Sequence, residues 1–148
     1  MNYNFIEIGT SNFDTLAQRA TDEHVGLSVE PVKEYLEELP QKKHVTKVNC
    51  AISNEDRTGK LYHITSENIK KFVRENSLEF RKYAYIQGCN CIDSPHPAQL
   101  KVVKRFDLHP NIITVTPVEI ISFRTLINRY SVESVGLIKI DAEGHDAT

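Results

Sequence analysis

The chain has 148 residues, 40% hydrophobic and 26% charged, with a formal net charge of -2, which is ordinary for one soluble globular domain. A chain of this length buries roughly 70% of its unfolded surface, so a real core is expected. Near-neutral charge leaves no electrostatic footprint for nucleic acid or an anionic membrane surface, and no apolar run approaches the roughly 20 residues that cross a bilayer.

In chain order, residues 5–8 form a short apolar run closed by Gly9 and predict a buried strand. The first residues carry neither a basic stretch nor a long apolar one, so they do not read as a signal peptide. Ser11, Asn12 and Asp14 supply cap and first-turn chemistry for a helix over about 13–20. Residues 25–29 predict a second strand. Pro31 stands where a first helical residue is expected, and a helix over 32–39 should end at Pro40. Residues 45–52 are rich in β-branched side chains and predict a third strand. Strands alternating with helices over short connections imply parallel strands and right-handed crossovers. The expected fold is α/β: a Rossmann-like, mostly parallel sheet with flanking helices.

Further on, residues 60–64 predict a short strand after a turn at 56–59, and 67–76 a helix. Residues 83–97 contain Gly88, polar turn formers and two prolines, and predict a loop. Residues 98–106 fit helix or strand. The alternating, β-branched segment 112–121 predicts a strand, and Ser122 then caps a helix to about Tyr130. Residues 135–140 predict an apolar strand running into Asp141-Ala142-Glu143-Gly144. A doubly wound sheet normally continues beyond its first strand. The last strand is therefore expected at a raw edge. The span 1–148 is expected to be an incomplete domain, or a subunit whose edge is covered by a partner such as a second copy.

Chemistry-bearing residues fall at predicted strand ends: Glu7 and Gly9, then Glu30, then Asp141 and Glu143. Ligands of open parallel sheets bind outside the carboxyl ends of strands. Glu30 follows Gly9 by 21 positions, close to the roughly 20-residue separation of a ribose-binding acid in dinucleotide folds. A carboxylate there can accept both hydroxyls of a ribose diol. After Gly9 the chain reads Thr10-Ser11-Asn12-Phe13-Asp14, so a full G-x-G-x-x-G is missing. That disfavours NAD or FAD, whose pyrophosphate needs close backbone approach. A ligand without phosphate, such as S-adenosylmethionine (SAM), fits better.

Phe5-Ile6-Glu7-Ile8-Gly9-Thr10-Ser11-Asn12-Phe13 is similar to motif I of class I SAM-dependent methyltransferases, and Val29-Glu30-Pro31 to the acidic residue and proline that close their second strand. Asn49-Cys50-Ala51-Ile52-Ser53 resembles the N-x-A-[IL]-S segment after the third. The segment from Ile120 to Ile127, followed by Leu137-Ile138-Lys139-Ile140-Asp141-Ala142-Glu143-Gly144-His145-Asp146, resembles the signature of FkbM-type methyltransferases. The resemblance implies methyl transfer from SAM, usually to an oxygen of a sugar or related small molecule. It implies that Glu7, Gly9 and Ser11 border the SAM tail, that Glu30 and Asp141 contribute to cofactor binding, and that Asp141 and Glu143 are catalytic. The second glycine of motif I is replaced around Ser11 and Asn12. The alternative is a truncated, non-catalytic nucleotide-binding module.

A hydroxyl acceptor benefits from a general base, worth about 10²–10⁴-fold; Asp141, Glu143, His145 and His96 are the candidates, with Asp141 first. Cys89, Cys91 and His96 lack the fourth ligand and the spacing of a structural zinc site, so no metal is expected. Cys50 reads as a small core residue. His24, His44, His63 and His109 read as surface residues. Three cysteines, an odd number, point to a reducing, cytoplasmic compartment rather than a disulfide framework.

Overall fold

The structure is a computed structural model that describes residues 1–142; Glu143 and His145 therefore lie outside the described residues, and so do the roles expected of them. In chain order the elements are β1 (Asn2–Ile8), α1 (Leu16–Arg19), β2 (Gly26–Val29), α2 (Lys33–Glu38), β3 (Val45–Val48), β4 (Ala51–Ser53) and β5 (Arg57–His63). There follow α3 (Ser66–Glu75), β6 (Cys91–Ile92), α4 (Pro97–Arg105), β7 (Thr114–Ser122), α5 (Phe123–Arg129) and β8 (Ser134–Ile140). They divide into two compact units, one formed by Met1–Thr58 with the segment from Val118 onward, the other by Gly59–Pro117.

The first unit is built on a parallel sheet in the order β3-β2-β1-β8. Side chains alternate across a strand, and β1 sorts accordingly. Ile6 and Ile8 join Leu27, Val29, Val48 and Leu126 of α5 in the main core. Phe5 joins Ala17 and Ala20 of the α1 segment and Val45 of β3. Gly26 stands opposite Phe5, and the Phe5 ring occupies the space a β-carbon at Gly26 would need. The parallel α/β architecture expected from the sequence is therefore present.

Two predicted boundaries move. The helix expected over 13–20 shrinks to Leu16–Arg19 because Asp14 (φ 52°) adopts left-handed backbone, which a helix cannot contain. Thr15 caps it instead, accepting from the Gln18 amide while the Gln18 side chain accepts from the Thr15 amide. The single strand expected over 45–52 breaks in two at Asn49 and Cys50. Asn49 Nδ2 donates to the carbonyls of Glu30 and Pro31 (2.9 and 3.0 Å), turning the chain out of the parallel sheet. Beyond the break β4 pairs in parallel with the end of β7, Ile52 opposite Ile121. Ser122 caps α5 as expected, accepting from the Thr125 amide.

The second unit pairs β5 with β6 in antiparallel fashion, Leu61 opposite Ile92. Its core contains Ile64, Ile69, Phe72, Val73, Ile86 and Val102. The rings of Phe72, Tyr83 and Phe106 meet edge-on with centroids 5.0–5.7 Å apart, a preferred aromatic geometry. Buried Gln99 donates to the carbonyls of Tyr62 and Cys89 (3.2 and 2.7 Å), tying α4 to β5 and to the segment before β6. The segment expected as a loop over 83–97 includes a 3-10 turn at Ala84–Gln87 and the two residues of β6. Residues 98–106 resolve as helix, because His96 caps it and Pro97 takes the first-turn position. His63, expected at the surface, is buried in this unit.

Among the described residues β8 is an edge of its sheet, as the sequence led one to expect. Both of its faces are open: Leu137, Ile138 and Ile140 are 51%, 40% and 49% exposed. Among the described residues its cross-strand partners lie along one side, from Asn2 opposite Ser134 to Ile8 opposite Ile140.

Candidate functional site

Because β1, β2 and β8 run parallel, their carboxyl ends meet at one rim. The ladder continues past each strand: Gly9 N donates to Val29 O (2.9 Å), Asp141 N to Ile8 O (2.9 Å) and Glu30 N to Val48 O (3.0 Å). Among the described residues, those singled out at strand ends, Glu7, Gly9, Glu30 and Asp141, are thereby brought together. An antiparallel pairing would have sent Glu30 and Asp141 to opposite rims.

Gly9 is the pivot. Its φ is +75°, and a β-carbon built on it would overlap the backbone carbonyl of Asp141. Only glycine combines that conformation with so close an approach. The chain then passes over the rim through Thr10, Ser11 and Asn12.

Glu30 is 3% exposed. Its Oε2 accepts from the Ser11 amide (2.7 Å) and its Oε1 from the Val32 amide (2.9 Å). Burial pushes its pKa from 4.5 up to about 7, against the opposing pull of those backbone donors. A carboxylate has about four acceptor sites, and the two backbone donors with the Thr10 side chain leave room for a further donor. Ser11 thus contributes its backbone amide to this residue, and its hydroxyl lies toward Asn12 Oδ1 (3.5 Å).

Glu7 sits differently. It is fully buried, its Oε2 accepting from Leu16 N at the start of α1 (2.8 Å) and its Oε1 from Lys139 Nζ (2.8 Å). The carboxylate is thus engaged by protein groups on both oxygens. Lys139, Glu7, Ser28 and Lys47 are successive cross-strand neighbours and form a polar row across the sheet. At one end the Glu7 carboxylate meets the amino end of α1. Toward the other, Lys47 Nζ donates to Leu39 O just past α2 (2.6 Å). Both placements follow the sign of the helix dipole.

Asp141 is exposed at the end of β8, held through its backbone. Asn49 and Lys139 were missed as site-supporting residues. Each left a trace in the sequence: Asn49 opens the N-x-A-[IL]-S segment, and Lys139 is the one charged residue within an apolar strand.

In the second unit, the Nδ1 of His96 accepts from the Ala98 amide (3.1 Å) as the cap of α4, and the buried Cys89 thiol donates to Tyr85 O (3.4 Å). Among the described residues no group of three or more His, Cys, Asp or Glu side chains is arranged to hold a metal ion. Cys50 is buried in the core of the first unit, and burial pushes its thiol pKa up to about 12, so it packs as a small apolar side chain. Among the described residues no helix is long and apolar enough to cross a membrane.

The family model of the methyltransferase FkbM domain matches residues 5–148. No curated protein and no solved structure matches the chain.

Proposed function

The chain belongs to the FkbM methyltransferase domain family, and on that premise we propose that it transfers a methyl group from SAM to an oxygen of a sugar or another small molecule. The observation that carries this reading is the meeting of Gly9, Glu30 and Asp141 at one rim of a parallel sheet. SAM supplies a methyl group already activated by its sulfonium centre.

Each residue has a task suited to its surroundings. Glu30 keeps acceptor capacity beyond its two backbone donors and would hold the ribose hydroxyls. Its ionised form is the one that accepts both. The Gly9 turn and Ser11 would border the amino-acid tail, and Glu7 would act from beneath by fixing α1. Asp141, the exposed carboxylate at the rim, would take the proton from the acceptor hydroxyl. Holding donor and acceptor in line is the larger contribution, up to roughly 7–11 kcal/mol in favourable cases. Free thiols at Cys50, Cys89 and Cys91 suit a reducing compartment such as the cytoplasm.

Isothermal titration of the folded chain with SAM and, separately, with NAD tests the reading. Saturable heat with SAM and none with NAD is the expected result. Folded protein that gives no heat with SAM defeats it, and heat with NAD alone would favour a dinucleotide site.

A further inference from the structure

We propose that Lys139 is a positioning residue for the cofactor loop, acting through Glu7; the proposal rests on the reading of the chain as a SAM-binding enzyme. Lys139 lies on the edge strand β8, opposite Glu7 in register. Its Nζ donates to Glu7 Oε1 (2.8 Å) and to the carbonyl of Asp14 (3.2 Å). The other oxygen of Glu7 accepts from Leu16 N (2.8 Å). One ammonium therefore fixes the far end of the loop between Gly9 and Thr15, directly at Asp14 and indirectly at Leu16. The near end is fixed by the Gly9 turn against Asp141. Between these two anchors Ser11 reaches Glu30 with its backbone amide (2.7 Å).

Among the described residues Lys139 is the cation that meets Glu7. A fully buried carboxylate deprived of its cation seeks water or new donors. Either movement releases Leu16, and the Asp14 carbonyl loses its donor at the same time, leaving Asp14 tied through its carboxylate to Arg19. The loop then loses its far anchor, and the Ser11 amide no longer has a fixed place beside Glu30. Lys139 touches none of the reacting atoms in this account; it sets the shape of the loop that does.

The test is isothermal titration with SAM on the wild type, Lys139→Met, Lys139→Arg and Leu126→Ala, with circular dichroism to confirm folding. Lys139→Met is expected to bind SAM about tenfold or more weakly, the scale seen when a supporting partner of a ligand-holding group is removed. Lys139→Arg, which retains a cation and several donors, is expected to stay close to the wild type. Leu126→Ala truncates the main core and is expected to lose stability while keeping the wild-type Kd. If Lys139→Met does not fold, Lys139→Gln is judged by the same criterion. Wild-type affinity in the Lys139 variant, or an equal loss in Leu126→Ala, overturns the positioning role. No binding by the wild type overturns the SAM reading instead.

Discussion

The ends of β1 and β2 each carry a buried glutamate, and the two are stabilised in different ways. Glu7 is fully buried but meets an ammonium, Lys139, and the amino end of α1. Glu30 is nearly as buried and has two backbone amides and the Thr10 side chain as its hydrogen-bond donors, and its pKa rises to about 7. Removing a carboxylate from water is costly unless charge and hydrogen bonds replace the water. The end of β1 makes that replacement within the protein. The end of β2 makes it in part, which fits the role proposed for Glu30 as an acceptor of hydroxyl donors from outside. One glutamate is tied to protein groups at the start of α1; the other is the one proposed to meet the ligand.

The largest expected effect falls between the two. Gly9→Ala places a β-carbon against the Asp141 carbonyl in a backbone that disfavours it, and should cost on the order of 4 kcal/mol in urea unfolding. A loss below about 1 kcal/mol would mean that the rim yields easily, and the contrast between the two glutamates would lose its rigid frame.

Lys139→Met should destabilise by about 3 kcal/mol, the low end for an orphaned buried charge because Lys139 itself is partly exposed. Glu30→Gln should weaken SAM binding and cost clearly less stability than Lys139→Met above neutral pH, because the loss of a buried charge offsets the one backbone amide that then faces an NH2 group. Chemical denaturation at pH 8 compares them directly. Equal losses in the two variants would erase the distinction drawn between β1 and β2.

The pH dependence sharpens it further. The folded-state pKa of Glu30, about 7, lies above its usual 4.5, so the folded chain holds the extra proton between those values. Its contribution to stability is therefore full below about 4.5 and lost as pH rises through about 7. SAM affinity should change oppositely, increasing as Glu30 ionises. Both trends should flatten in Glu30→Gln; a wild-type binding curve unchanged from pH 5.5 to 8 would remove Glu30 from the ribose. The smallest effect is expected at Thr15→Ala, which loses the cap of α1 while leaving Glu7 and Lys139 in place, at about 1 kcal/mol.

The second unit shows where legibility stopped. Helix α3 was readable because Ile69, Phe72 and Val73 repeat at helical spacing. The segment after it was not, since Tyr83 and Ile86 pack against residues distant in the chain and the Gln99 amide donates to the carbonyls of Tyr62 and Cys89. The same holds for His63, whose surroundings come from the packing of its unit rather than from its neighbours in sequence.

Local chemistry settled the alternation of strands and helices in the first unit, and with it the placing of Gly9, Glu30 and Asp141 at strand ends; that those ends share one rim follows from the pairing of β8 with β1. Alternation, turn formers and parallel crossovers are short-range properties, and they are written residue by residue. The break at Asn49 and the left-handed turns at Ser11 and Asp14 were decided by tertiary contacts. So was the division of labour between the two glutamates, because it depends on register: a lysine 132 positions away from Glu7 becomes its neighbour only when β8 pairs with β1. Charge compensation inside a protein is a matter of a few ångströms, and only the folded chain sets those distances.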